Sequence, residues 1–284
     1  MYSKILLAVD TSESSELLVE HLPHLIKVGL KEVVLVHVVN IKEGGDFSEK
    51  LQAHDKKFLQ RQKAKLEQKG IKIKVKVPIG LPSYEINEIA DKENVSLIII
   101  GSHSRSIVKQ VVLGGTSEQI IRDARKPVLI MKLDIKEDRG CSLFCKNIFK
   151  AILYPTDFSN DAEKTLPYIK KALDAGCEKV VLLHVQEEAK IKPHLESRLE
   201  EFNAIDRDRL NRIKKELLDL GAKNVKTIVE MGKAIPIILK TAEAEGACLI
   251  ALGARGRSLF GEMFIGSTAN NVARYARMPV LFVT

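Results

Sequence analysis

The sequence predicts an α/β protein of two similar domains, each a doubly wound parallel sheet with helices on both faces. Three observations predict it. The chain repeats itself once, apolar runs alternate with helical patterns in both copies, and most of those runs are apolar throughout. The repeat sets the frame. KEVVLVHV at 31–38 returns as EKVVLLHV at 178–185, which aligns Asp10 with Asp157 and His37 with His184 at an offset of 147. Further on the offset is 152: Leu97, Ile98 and Gly101 return as Leu249, Ile250 and Gly253, Gly114 as Gly266, Arg122 as Arg274, and Pro127-Val128 as Pro279-Val280. The second copy is thus five residues longer between its second and fourth strands. The period is too long for a solenoid. With 284 residues, two domains fit the usual size of about 100–200. The expected boundaries are 1–133 and 149–284, with 134–148 as linker.

Strands are expected at 4–9, 33–39, 72–77, 96–100 and 127–132, and again at 151–155, 180–186, 225–230, 247–252 and 279–283. Continuous apolar character marks parallel strands buried on both faces. The third run of each copy alternates instead, which suits a sheet edge. Between runs lie helical patterns. The clearest puts Leu195, Leu199, Phe202, Ile205, Leu210, Ile213 and Leu217 on one stripe, read as core packing. The charge-rich HDKKFLQRQKAKLEQK reads as a solvated helix face. Strands alternating with helices imply right-handed crossovers, and ligands in such sheets bind beyond the carboxyl ends of the strands, where strand order reverses.

Composition narrows the function classes. The 45% of apolar residues suffice for a core in each half. The formal net charge of +8, from 45 basic and 37 acidic residues, is spread along the chain. With 9 Phe, 5 Tyr and no Trp, a stacking platform for nucleic acid is poorly supplied, and no nucleic-acid partner is expected. No apolar run reaches the roughly 18 residues of a membrane span. MYSKILLAVD enters a strand pattern with no leader ahead of it, so a cytoplasmic protein without membrane association is expected. Four cysteines do not make a disulfide framework. Cys141 and Cys145 lack the further ligands of a zinc site, and Cys177 and Cys248 read as small hydrophobes. His37 and His184, ending buried strands, read as hydrogen-bonded structural residues.

The fourth strand of the second copy leads into ALGARGRSLFGEMFIGSTANNVARYA. Gly253 and Gly256 can adopt positive φ and leave room for a ligand, or can serve a tight turn alone. Gly266 and Ser267 precede a helix expected to begin near Thr268. Its N-terminus offers free amides and a positive dipole end to phosphate. Ser267 and Thr268 add hydroxyls or act as caps, and Arg255 and Arg257 can neutralise phosphate charge. The first strand of this copy ends in LYPTDFS, where Asp157 can accept from a ribose hydroxyl, cap the next helix, or do both. GRSLFGEM has P-loop glycine spacing but Glu262 where Lys is required, and no GxGxxG follows a first strand. No SGGxDS-like loop is present either.

On these residues both halves resemble universal stress protein domains. The nucleotide-binding members of that family carry Gly, two residues, Gly, nine residues, then Gly-Ser or Gly-Thr. The second copy matches with Gly253, Gly256, Gly266 and Ser267, and shares the Pro155-Thr156-Asp157 turn and the His184-Val185 strand ending. The resemblance covers nearly all of both repeats. It implies a Rossmann-like five-stranded parallel sheet of order 3-2-1-4-5 in each half and dimerisation through the last strand. It also implies an adenine nucleotide, ATP or AMP, with Mg²⁺ as a candidate companion. Asp157 and Val185 would flank adenosine. Leu252, Gly253, Gly256, Gly266, Ser267 and Thr268 would surround ribose and phosphates.

The first copy departs from this pattern. Its corresponding residues are Ala8, Asp10, Val38, Gly101, Ser104, Gly114, Gly115 and Thr116. Ala8 replaces the proline, Ser104 the second glycine, and Gly115 the hydroxyl residue. A Ser at positive φ costs roughly 1 kcal/mol, and a lost hydrogen bond about 1 kcal/mol. Together these weaken affinity about tenfold. A competent second site and a weakened or empty first site are therefore expected. The role expected is regulatory, through occupancy that biases conformation or the binding of an unknown protein partner. A slow nucleotide hydrolase using Asp157, Arg255 and Arg257, and a scaffold that binds no nucleotide, are the alternatives. The halves are expected to cover each other's last-strand edges, with homodimerisation of the chain left open.

Overall fold

The computed structural model describes residues 2–105, 114–135, 141–145, 147–187, 198–254 and 266–284. They fall into two units: the described residues up to 144 together with Thr284 form the first, and those from 145 to 283 the second. The strands of the first unit are β1 (Lys4–Ala8), β2 (Glu32–Val36), β3 (Lys72–Lys76), β4 (Leu97–Arg105) and β5 (Val128–Ile135). Between them lie α1 (Glu13–His21), α2 (Ser48–Glu67), α3 (Pro82–Lys92) and α4 (Gly115–Arg122). In the second unit the strands are β6 (Ala151–Pro155), β7 (Lys179–Gln186), β8 (Val225–Met231), β9 (Leu249–Gly253) and β10 (Val280–Val283). Its helices include α5 (Asn160–Glu163), α6 (Leu166–Leu173), α7 (Leu199–Asp219), α8 (Ala234–Ala244) and α9 (Ser267–Tyr275).

All of these strands pair in parallel within their unit. The order is β3-β2-β1-β4-β5 in the first and β8-β7-β6-β9-β10 in the second. Ile5, Leu6, Leu7 and Val33 to Val36 are fully buried, as are Leu182, Leu183 and Ile250. Burial on both faces is why these runs are apolar at every position. β3 lies at an edge, and there Lys72 and Lys74 face water while Ile73 is buried. Lysines on an edge strand also discourage pairing with another chain. Each unit gathers strand lysines on one glutamate. Glu93 meets Lys4, Lys74 and Lys76, and Glu245, 152 residues on, meets Lys179 and Lys226.

Several expectations change. β4 runs to Arg105 rather than ending at 100, because its polar tail continues the ladder opposite Met131 to Ile135 of β5. Cys141–Leu143, inside the stretch expected to be linker, pairs antiparallel with Leu133 to Ile135. On α7, Leu210 and Leu217 are buried but Ile205 is 42% exposed. The inward place is taken by Asp206. Leu195 lies outside the described residues. Cys248 is not a simple hydrophobe, since it forms a disulfide with Cys145. The main chain brings them together: the Cys248 amide donates to the Ala151 carbonyl at 2.7 Å, setting the start of β9 beside the chain that enters β6. Cys177 is a buried thiol, and burial pushes it up to about 11. Among the described residues no helix is long and apolar enough to cross a membrane.

Two stability predictions follow from burial and cross-linking. The disulfide closes a sequence separation of 103 residues. Reduction is expected to lower stability by roughly 2–5 kcal/mol, read as a lower urea midpoint in dithiothreitol; an unchanged midpoint contradicts this. Lys132, 1% exposed, has its ammonium pushed down to about 8 by burial, from 10.5. The unfolded chain then holds the extra proton between these values, so Lys132 contributes stability that grows with pH across that window by about 1–3 kcal/mol. The stability difference between wild type and Lys132→Met should change by that amount across the window, and a difference constant with pH refutes the assignment.

Candidate functional site

The ladder between β6 and β9 ends at Leu153 and Ile250. Both strands continue beyond it, β6 to Pro155 and β9 to Gly253. β6 meanwhile keeps pairing with β7 as far as Pro155 and Leu183. The carboxyl ends of β6 and β9 therefore part where the chain leaves toward β7 on one side and β10 on the other. A crevice at such a switch point is the ligand position of open parallel sheets. In the first unit the corresponding ladder ends at Leu7 and Ile99.

The turn after β6 forms one wall. Pro155 is buried, and Thr156 donates its amide to the Leu183 carbonyl at 2.8 Å. Thr156 Oγ1 accepts from the Phe158 amide at 3.0 Å. Asp157 Oδ1 accepts from the Ser159 amide at 3.0 Å and its hydroxyl at 2.6 Å. Ser159 Oγ in turn accepts from the Ala162 amide and caps α5. Asp157 thus supports the cap, one of its two expected roles. Phe158 has φ of 58°, uncommon for a bulky residue. Its ring packs 4.6 Å from that of His184, and the Arg209 guanidinium lies 5.2 Å from its centre. In the first unit Asp10 Oδ1 accepts from the Ser12 amide at 3.0 Å and from the Ser15 hydroxyl at 2.6 Å, and Ser12 caps α1. Ala8 closes β1.

The opposite wall is the end of β9 with the start of α9. Leu252 is buried. Gly253 does not have positive φ. A Cβ there would come 2.8 Å from the carbonyl carbon and oxygen of Asp161 and 2.9 Å from the Ala162 nitrogen. Glycine is required so that the α5 backbone can approach, which corrects the expectation of a positive-φ turn residue. Gly266, not Ser267, is the N-cap of α9, and it makes no side-chain cap bond. Its amide donates to the Ala254 carbonyl at 2.9 Å, which pins the helix start beside the end of β9. Ser267 and Thr268 are the first two helical residues, one earlier than expected, with Ser267 exposed. Amides in a first helical turn have no acceptor within their helix. Val185, half buried, is the penultimate residue of the neighbouring β7, next to His184. Arg255, Gly256 and Arg257 lie outside the described residues.

In the first unit Gly114 caps α4, followed by the exposed Gly115 and Thr116, and Val38 follows His37. Gly101 is approached by the Leu18 Cδ1 atom, 2.9 Å from an added Cβ, rather than by backbone. Ser104 is an extended strand residue opposite Asp134, so the expected cost of positive φ does not arise there. Four residues of the second site went unread in the sequence: Phe158, Gln186, Asp206 and Arg209. Gln186 Nε2 donates to Asp206 Oδ2 at 2.8 Å. The available signal was a carboxylate at helical spacing inside an apolar stripe. Among the described residues there is no cluster of three or more His, Cys, Asp or Glu suited to a metal.

Gly253→Ala should destabilise the chain by about 1–3 kcal/mol, because neither backbone can yield easily. Gly101→Ala should cost less, since the end of the Leu18 side chain can move. Urea midpoints of the two variants check this, and equal costs contradict it.

The model of the Universal stress protein family matches residues 1–132 and 148–284. A universal stress protein of Methanocaldococcus jannaschii is 31% identical over 155 residues, covering 46% of this chain and 96% of its own. A second from that organism is 30% identical over 146 residues, covering 48% of this chain and 86% of its own. The crystal structure of a universal stress protein from Archaeoglobus fulgidus superposes with a TM-score of 0.78 at 28% identity, covering 100% of this chain and 98% of the other. With the family pattern matched twice along one polypeptide, the chain belongs to the universal stress protein family as a tandem, two-domain member.

Proposed function

We propose that the second unit binds an adenine nucleotide, ATP or AMP, between the carboxyl ends of β6, β7 and β9, and that occupancy serves regulation. The observation that carries the reading is the parting of β6 and β9 beyond Leu153 and Ile250, with the first turn of α9 pinned at its rim by Gly266. A strand gap admits a flat base and ribose, and a helix N-terminus favours an anionic tail. In this reading Asp157 and Val185 flank adenosine, while Leu252, Gly253, Gly266, Ser267 and Thr268 line ribose and phosphates. Arg255, Gly256 and Arg257 complete the phosphate end. Ser267 and Thr268 are not needed to cap α9, which leaves their hydroxyls for phosphate. Mg²⁺ would accompany the phosphates of ATP.

The first unit binds more weakly in the same reading. Its β4 continues as strand through Ser104 to Arg105, paired with β5. Gly115 stands where the second unit offers a hydroxyl.

Calorimetry of the full chain with ATP and with AMP is expected to show one site of clear affinity per chain. Gly266→Asp separates binding from folding. Asp is favoured at an N-cap, so the helix should hold. The added carboxylate repels phosphate at the dipole's positive end and should weaken ATP binding roughly tenfold. No binding to the wild-type chain, or undiminished binding to the variant, refutes the assignment.

A further inference from the structure

We propose that His184 is a positioning residue of this site, fastening the turn that carries Asp157 to helix α7, and that His37 holds the same post in the first unit. The proposal rests on the reading of that turn as one wall of a nucleotide cleft. His184 Nδ1 lies 2.8 Å from the Thr156 carbonyl oxygen, and Nε2 lies 3.4 Å from Asp206 Oδ2. In the first unit His37 Nδ1 lies 3.0 Å from the Val9 carbonyl oxygen, and Nε2 lies 3.1 Å from Asp55 Oδ2. The two arrangements are built by residues at matching places: Val9 and Thr156, His37 and His184, then an aspartate on the long helix after the second strand. The repetition is independent of the glycine pattern, which the copies do not share.

The chemistry of the bridge is restrictive. A main-chain carbonyl and a carboxylate both accept and cannot donate. The Thr156 carbonyl, 2.8 Å away and able only to accept, fixes Nδ1 as the ring's donor, with Nε2 turned toward the carboxylate. The partners are held in place for this. Gln186, 3% exposed, donates to Asp206 Oδ2, and Arg209 approaches Asp206 Oδ1 at 4.0 Å. The Phe158 ring lies against the imidazole and fixes its plane. The charged groups placed about His184 are Asp206 and Arg209 on α7 and Asp157 on the turn. In the first unit Asp55 Oδ1 is also met by His54 Nδ1 at 3.1 Å. Each bridge spans from the exit of the first strand to the helix after the second, on either side of the strand ending that carries Val185 or Val38. It thereby sets the spacing of the walls between which a base would lie.

Long-range ¹H–¹⁵N spectra of the His184 ring in the full chain, read with ATP calorimetry of variants, test this. Wild type is expected to show a proton on Nδ1. Asp206→Asn should move the Nε2 resonance while leaving that proton in place. His184→Ala should weaken ATP binding roughly tenfold and speed hydrogen exchange at 156–159 more than elsewhere in the second unit. His184→Asn, whose amide nitrogen falls where Nδ1 stood and retains a donor for the Thr156 carbonyl, should recover part of the affinity. A wild-type ring with no proton on Nδ1 overturns the bridge, and ATP binding by His184→Ala within about twofold of wild type overturns the positioning role. If His184→Ala does not fold, Asp206→Asn decides, and unchanged affinity with an unchanged ring spectrum overturns the proposal. A wild-type chain that binds no ATP refutes the nucleotide reading before any variant is made, and the positioning role falls with it.

Discussion

The backbone of α5 lies so close to the end of β9 that residue 253 has no room for a Cβ. Much of the second unit's site follows from that contact. Because Gly253 admits the helix, the turn from β6 can be short, and Ser159 can cap α5 while Asp157 braces Ser159. Because β9 then stands clear of β6, its far end can receive the start of α9 through the Ala254–Gly266 bond. A side chain at 253 would force α5 away and loosen both walls together. Glycine here acts through volume rather than through backbone freedom, which places the claim on packing before function.

The two units share a scaffold and differ at its mouth. Strand order, the lysine–glutamate clusters and the histidine bridges recur in both. These features fix where strands lie and how the first-strand turn meets the neighbouring helix. The differences gather at the carboxyl ends, where β4 runs on as paired strand through Ser104 and β9 stops at Gly253. Duplication supplies a framework twice, and divergence at the strand tips can then make one cleft a binder and the other a support. Membership of the universal stress protein family accounts for the framework; the two units differ at the strand tips.

The sheet was legible because parallel strands buried on both faces must be apolar at nearly every position, as in Ile5 to Leu7 and Val180 to Leu183. The edge was legible at Lys72 and Lys74, where water reaches alternate side chains. What escaped depends on partners remote in sequence. Nothing in spacing pairs Cys145 with Cys248; β9 and the entry to β6 have to meet first. The tail of β4, from Ser102 to Arg105, is polar and is held as strand by its backbone ladder to β5. Asp206 interrupts an apolar stripe, and helical periodicity alone assigned its inward place to Ile205. The close approach of the α5 backbone to Gly253 was not legible, because a sequence does not reveal how near another backbone comes.

A crystal structure of the full chain grown with ATP tests the central claim most directly. The account predicts adenosine between the parted ends of β6 and β9, beside Asp157 and Val185, with phosphates at the first turn of α9. Nucleotide bound anywhere else, or that crevice filled by protein side chains at saturating ATP, would contradict it.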